Sequence, residues 1–234
     1  MRTPGEDKAL AVGLLVTDGL IRQPGDIAST EFITASHALQ PNAANTMAVQ
    51  LRRGITRACE PMPRRGQIHS SCGVCAATDP DDIHMPSTPS PLDSPTIFQA
   101  EIVQRMIGQL REQQTLFQAT GGLHAASLGN THGEIIATHE DIGRHNALDK
   151  LIGQQFLADE LPLSEHILLV SGRTSYEIVH KASMAGIRSI VGVGAASSLA
   201  VEYASKAQMT LAGFAKKDRL TIYTGEQYLL KATT

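Results

Sequence analysis

Tryptophan is absent from this 234-residue chain, and Phe, Tyr and Trp together make up only 4% of it. Platforms for stacking successive bases are therefore scarce, and a net charge of −3 argues against a general nucleic-acid binder. No apolar run reaches the roughly 18 residues of a membrane span. The opening Met1-Arg2-Thr3-Pro4-Gly5-Glu6 lacks the basic-then-apolar layout of a signal peptide. Cysteines number only three, too few and too odd for a disulfide framework, so a reducing cytoplasm is the expected compartment. No G-x-x-x-x-G-K-S/T occurs, which excludes a P-loop NTPase. What is there, 42% hydrophobic and 18% charged residues, is ordinary globular composition. The length suits one large domain or two small ones with a real core.

Two of the three cysteines lie together in Ser70-Ser71-Cys72-Gly73-Val74-Cys75. Arg52, Arg53, Arg57, Arg64 and Arg65 precede them, opposed only by Glu60, and the stretch from Asp79 to Pro95 holds five of the eleven prolines. Glycine and proline oppose regular structure, so an exposed, mobile loop is predicted here. Three chemistries compete for the pair. Nearby guanidiniums lower a thiol pKa and favour a nucleophilic sulfur carrier. A zinc site would need Cys59, Cys72 and Cys75 with His69 or His84, at no standard finger spacing. A thioredoxin-like redox pair would open a helix, whereas a proline-rich loop follows.

Along the chain, Thr3-Pro4-Gly5-Glu6 reads as a capped helix start, with Thr3 as cap and Glu6 closing a capping box. That helix stops at Asp18-Gly19. Strands are predicted over Ile27 to Leu39 and Ala44 to Leu51. A second helix starts at Ser94-Pro95, and its stripe Phe98, Ile102, Val103, Met106, Ile107 and Leu110 has helical spacing and reads as core. Gly129-Asn130-Thr131-His132-Gly133 signals a hairpin. A strand–helix rhythm then takes over, with strands near Glu134–His139, His166–Val170, Arg188–Val193 and Met209–Phe214, and a short one at Leu220–Tyr223. Such alternation predicts a largely parallel sheet with helices on both faces and ligands beyond the carboxyl ends of its strands.

The loops that fall there are Glu140-Asp141-Ile142-Gly143, Ser171-Gly172-Arg173-Thr174-Ser175 and Gly194-Ala195-Ala196-Ser197. Helix N-termini with Ser and Gly, beside Arg144, Arg173 and the turn Lys216-Lys217-Asp218-Arg219, point to a nucleotide or other phosphorylated ligand. Taken singly, any one such loop is usually a plain cap or turn. Gly192-Val193-Gly194-Ala195-Ala196-Ser197 is an incomplete dinucleotide fingerprint.

At Thr138-His139-Glu140-Asp141-Ile142-Gly143-Arg144-His145-Asn146-Ala147-Leu148-Asp149-Lys150 the chain resembles the formate dehydrogenase accessory sulfurtransferases, the FdhD family. The cysteine motif, Gly121-Gly122-Leu123-His124-Ala125-Ala126 and Ser171-Gly172-Arg173-Thr174-Ser175-Tyr176-Glu177-Ile178-Val179 carry the same resemblance, in register over essentially the whole chain. Ala76 departs from the glycine often found there, and the sequence starts almost at Thr3-Pro4-Gly5, ahead of which family members usually carry strand-forming sequence. The resemblance implies a cytidine-deaminase-like three-layer α/β domain over 96–234, a smaller N-terminal α+β part over 1–78, a Pro-rich linker over 79–95, and a homodimer. It implies a cytoplasmic sulfurtransferase of molybdenum cofactor biosynthesis. Such a protein takes sulfur as a persulfide from a cysteine desulfurase and passes it to bis(molybdopterin guanine dinucleotide) molybdenum before the cofactor enters formate dehydrogenase.

By that match Cys72 is the persulfide cysteine; Cys75 either assists by attacking Cys72 and expelling sulfide or is not needed, since a single carrier cysteine would suffice. Phe214, Ala215, Lys216, Lys217, Asp218 and Arg219 fall in the cofactor-binding segment. Ser171, Gly172, Arg173, Arg144 and Ser197 are assigned to the cofactor's phosphates, Asp141 or Glu140 to a guanine edge, and GDP is the expected mimic. A non-catalytic cofactor chaperone with a zinc or redox C-x-x-C is the alternative. A zinc deaminase is not expected. Its chemistry needs H-x-E followed downstream by P-C-x-x-C, but no cysteine follows His132-Gly133-Glu134.

Overall fold

A computed structural model describes residues 1–33, 45–55 and 98–230. At its centre lies a six-stranded sheet in the order β5-β4-β6-β7-β8-β9. The strands are β4 (His124–Gly129), β5 (Ile135–Asp141), β6 (Ile167–Val170), β7 (Ser189–Gly192), β8 (Thr210–Gly213) and β9 (Thr221–Thr224). Every residue of β6, β7 and β8 is buried. Their unbroken small and apolar sequences suit strands covered on both faces. These three pair in parallel, while β4 runs antiparallel to β5 and β6, and β9 antiparallel to β8. The predicted parallel character is thus confined to the middle of the sheet. The β4–β5 hairpin turns where predicted. Asn130 Oδ1 accepts from the amides of His132 and Glu134 at 3.0 Å each, and Gly133 takes φ 87°, a left-handed conformation that glycine adopts without cost.

Alternation along the strands divides the core in two. Leu168, Val170, Ile190 and Leu211 face α4 (Arg144–Leu157), α5 (Tyr176–Met184) and α6 (Ser198–Lys206). Ile167, Leu169, Val191 and Ala212 face Val103 and Met106 of α2 (Ala100–Gln113). The result is a three-layer α/β arrangement. Val103, Met106 and Leu110 of the predicted stripe are buried, whereas Phe98 precedes the helix, in β3 (Phe98–Gln99), which pairs with β10 (Leu229–Leu230). A short helix that the sequence does not announce, α3 (Thr115–Thr120), follows α2.

The N-terminal part divides. Its α1 (Asp7–Thr17) belongs to the larger core, contributing Val12 and Val16, and crosses α4 at two glycines. A Cβ on Gly13 would lie 1.8 Å from the Asp149 carbonyl oxygen, and one on Gly153 1.9 Å from that of Ala9. Strands β1 (Ile27–Phe32) and β2 (Met47–Leu51) form a separate antiparallel pair. The predicted capping box at α1 does not form. The helix starts one residue after Glu6, which sits at φ 57° with no side-chain cap. Glu6 instead meets His139 Nδ1 at 2.9 Å, and the Thr3 hydroxyl accepts from the Ile142 amide at 2.9 Å. Tertiary partners have outbid the local ones. Cys59, Cys72, Cys75, the arginines from Arg57 to Arg65 and the 79–95 segment lie outside the described residues.

Candidate functional site

Strands β5 to β8, apart from the hairpin connection, finish at one end of the sheet, and β4 and β9 begin there. The loops after β6, β7 and β8 are stitched together by backbone. Gly194 N–H donates to Gly172 O at 3.1 Å, Phe214 N–H to Gly194 O at 3.0 Å, and Ala215 N–H to Gly192 O at 3.2 Å. Thr174 N–H reaches Ala195 O, and Ser197 N–H returns to Thr174 O. Glycine is required for this closeness: a Cβ on Gly194 would come within 2.9 Å of Gly172 O, and one on Gly213 within 2.9 Å of Gly194 O. The fragmentary dinucleotide fingerprint therefore has a packing explanation. Gly192 and Gly194 let neighbouring loops touch, and the Val193 and Gly194 amides are already spent on Val170 and Gly172.

On this rigid rim the predicted residues take different places. Ser171 turns inward, its hydroxyl accepting from the Ala125 amide at 2.8 Å. Ser197 caps α6 by accepting from the Ala200 amide at 3.2 Å. Arg144 is half-buried at the first position of α4, and Arg173 is exposed. The β8–β9 turn presents Lys216, Lys217, Asp218 and Arg219 to solvent over a buried Ala215, and closes through Lys216 N–H to Arg219 O at 2.9 Å. Phe214 stands 50% exposed at φ 50°, a backbone region that bulky side chains seldom occupy.

Asp141 and Glu140 are both engaged inside the protein. Asp141 is fully buried, and its carboxylate accepts from the Thr3 amide, the Gly143 amide, Asn146 and Lys150 Nζ at 2.9 to 3.0 Å. Burial alone would raise that carboxyl, but the Gly143 amide, Lys150, Asn146 and the Thr3 amide together hold it below the usual range. Glu140 spends both oxygens on the Leu116 and Phe117 amides, at 2.8 Å each, and so caps α3 from a distance. These two acids anchor the N-terminal segment and α3.

Two histidines escape the sequence argument. His145 Nε2 lies 3.2 Å from Ser175 Oγ and 3.1 Å from Glu177 Oε2. Burial first, then Arg144, Lys181 and His124, push it down to about 3, so the ring is neutral and its contact with Glu177 is a hydrogen bond. Serine and carboxylate share one ring nitrogen, which is not the relay of a hydrolytic triad; the cluster ties the start of α4 to the start of α5. His124 opens β4 beside Gly172. Only its place in the Gly121–Ala126 motif marks it in sequence. Among the described residues no group of three His, Cys, Asp or Glu could hold a metal, and no helix is long and apolar enough to cross a membrane.

An α/β protein whose central strands end in a glycine-stitched rim bearing five cations is the class that fold and site define. The chain belongs to the FdhD/NarQ family, whose model matches residues 1–230. It is 41% identical over 224 residues to the sulfur carrier protein FdhD of Mycolicibacterium paratuberculosis, covering 96% of this chain and 82% of that one. With the protein of the same name from Streptomyces avermitilis it shares 37% identity, covering 97% and 80% respectively. A crystal structure of a formate dehydrogenase accessory protein from Desulfotalea psychrophila superposes with a TM-score of 0.69 at 20% identity, covering 98% of this chain and 81% of that one. That likeness shows a shared fold.

Proposed function

We propose that this chain is a sulfur carrier for formate dehydrogenase. The observation that carries the reading is its identity, along nearly its whole length, with proteins named for that role. In the proposed reaction the Cys72 thiolate attacks the outer sulfur of a cysteine desulfurase persulfide. A new S–S bond forms on Cys72, the desulfurase cysteine leaves as thiolate, and no net oxidation occurs. The sulfur then passes to the molybdenum of bis(molybdopterin guanine dinucleotide), the cargo, before that cofactor enters the dehydrogenase. Cys75 assists by attacking Cys72 and expelling sulfide as the pair closes to a disulfide.

The rim supports the cargo half of the reading. Arg144, Arg173, Lys216, Lys217 and Arg219 gather at one end of the sheet, and the neighbouring acids Asp141 and Glu140 are engaged inside the protein. Such a surface favours the phosphates of guanine nucleotide arms. The three layers are compatible with a cytidine-deaminase-like domain, working as a cytoplasmic homodimer.

Intact-mass analysis after incubation with desulfurase and cysteine tests the carrier role. A gain of one sulfur atom per chain, lost in Cys72→Ala and kept in Cys59→Ala, is the expected result. A chain that gains no sulfur yet still binds GDP is instead a cofactor chaperone.

A further inference from the structure

His124 lies where β4, the β6–α5 loop and the start of α4 meet. In the sheet register Ala126 pairs with Val170, so His124 projects two residues past the end of β6, over the Ser171–Gly172 turn. Gly172 packs close against two side chains. A Cβ there would lie 3.2 Å from His124 Nδ1 and 3.7 Å from Arg144 Cδ, so the imidazole and the arginine stem stand side by side at this turn. Ser171 is turned away to Ala125, and Arg173 follows at the outer lip.

We propose that His124, Arg144 and Arg173, clustered at the Gly172 turn, form an oxyanion subsite, separate from the Phe214–Arg219 turn, which takes a phosphate group together with a proton on His124. The proposal rests on the cofactor reading above only for the owner of that phosphate, a guanine nucleotide arm. His124 and the turn are three strand spacings apart in the order β4-β6-β7-β8, about 14 Å between backbones, so they are distinct places on the rim.

The proton follows from the charges. In the free protein burial, then Arg144, then Arg173 hold His124 below its ordinary pKa. His145, the other titratable group nearby, is itself neutral. Of the acids, Asp141 pairs with His124 in register across β4–β5 but is held by Lys150 and Asn146, and Glu177 sits at His145. An anion bound beside these side chains opposes the field of both guanidiniums, raises the imidazole pKa and turns His124 into a third cationic donor. Binding then tightens as pH falls, by at most about tenfold per unit for one proton taken up.

Sulfate is the probe, because its charge is constant across the neutral and mildly acidic range. NMR titration of the wild-type imidazoles should show His124 titrating below the ordinary histidine range, and moving upward when sulfate is added. Sulfate affinity should fall with rising pH. Arg173→Ala should weaken sulfate and raise the free-state His124 pKa, and His124→Gln should bind sulfate more weakly with no pH slope. A His124 resonance unmoved by sulfate, or an unchanged slope in His124→Gln, overturns the proposal. A parallel GDP titration separates the two readings. GDP binding that leaves His124 unmoved refutes this subsite and keeps the nucleotide reading. A sulfate response without GDP binding keeps the subsite and removes the nucleotide.

Discussion

Lys181 on α5 grips both carboxylate oxygens of Asp149 on α4, at 2.7 and 2.9 Å, with both side chains almost wholly buried. The Thr17 hydroxyl of α1 accepts from the same ammonium at 3.0 Å. Three helices therefore meet at one ion pair beneath the rim. Burial pushes the Asp149 carboxyl up and the Lys181 charge opposes that shift.

Removing one partner leaves a buried charge alone, which typically costs about 3 to 5 kcal/mol. Lys181→Met should lower stability by that order, as measured by urea unfolding. The double variant Lys181→Met, Asp149→Leu should recover most of the loss, because an apolar pair of similar size needs no desolvation. A single variant as stable as wild type would show that water reaches the pair.

The α1–α4 crossing sets two effects of opposite sign against each other. Alanine is favoured over glycine inside a helix by about 1 kcal/mol, yet a Gly13 Cβ would sit 1.8 Å from Asp149 O. Backbone is the obstacle, so the helices must separate, and overpacking of this kind costs about 1 to 3 kcal/mol or more. Gly13→Ala and Gly153→Ala should both lower the thermal midpoint. Gly25→Ala, where a Cβ meets nothing within 4 Å, serves as the control and should leave it unchanged.

Acid should destabilise the fold before the carboxylates titrate. Burial first, then Lys181, lowers His180 to about 4, and burial lowers His145 to about 3, from 6.5. Below pH 6.5 the unfolded chain binds protons that these folded rings refuse. Stability therefore falls as pH drops from 6.5 towards about 4, by up to about 1.4 kcal/mol per unit for each ring. His180→Phe keeps a ring stacked near Tyr176 and against the Tyr203 edge, but removes one titrating group. Urea midpoints followed across that window should show a shallower pH slope in the variant. An unchanged slope would mean that His180 takes up its proton while still folded.

How far the sequence spoke depended on whether a signal was local. The strand–helix rhythm from Ile135 to Thr224 was legible because burial repeats with the period of each element, and Asn130 and Gly133 turn the hairpin by themselves. The antiparallel pairing of β4 with β6 was not, since it joins strands separated by β5 and α4. Helix α3 went unseen because its cap, Glu140, comes from another element. Thr3 and Glu6 misled for the same reason, finding partners at Ile142 and His139. Asp141 looked like a site residue because it sits at a strand end among polar neighbours. Only the fold reveals that Lys150 and the N-terminal backbone have claimed it.

The β8–β9 turn is where the cofactor reading is most exposed to test. Lys216, Lys217 and Arg219 are solvent-facing, as charged residues on any soluble surface are, so exposure alone decides nothing. Lys217 also leans on α2, its Cε 3.8 Å from where a Gly108 Cβ would be, and its loss would mix packing with charge. Arg219 is the cleaner probe. If the turn holds diphosphate, Arg219→Ala should cost about 1 to 3 kcal/mol, the range for hydrogen bonds to charged groups. That is roughly a tenfold to hundredfold weaker GDP affinity by calorimetry. Added salt should shrink the difference, because an exposed contact is screened. The cysteine motif lies elsewhere in the chain, so the variant should still acquire sulfur from the desulfurase while failing to activate the dehydrogenase. Equal GDP affinities in wild type and variant would return the turn to an ordinary solvated surface and leave the phosphates to the His124 cluster.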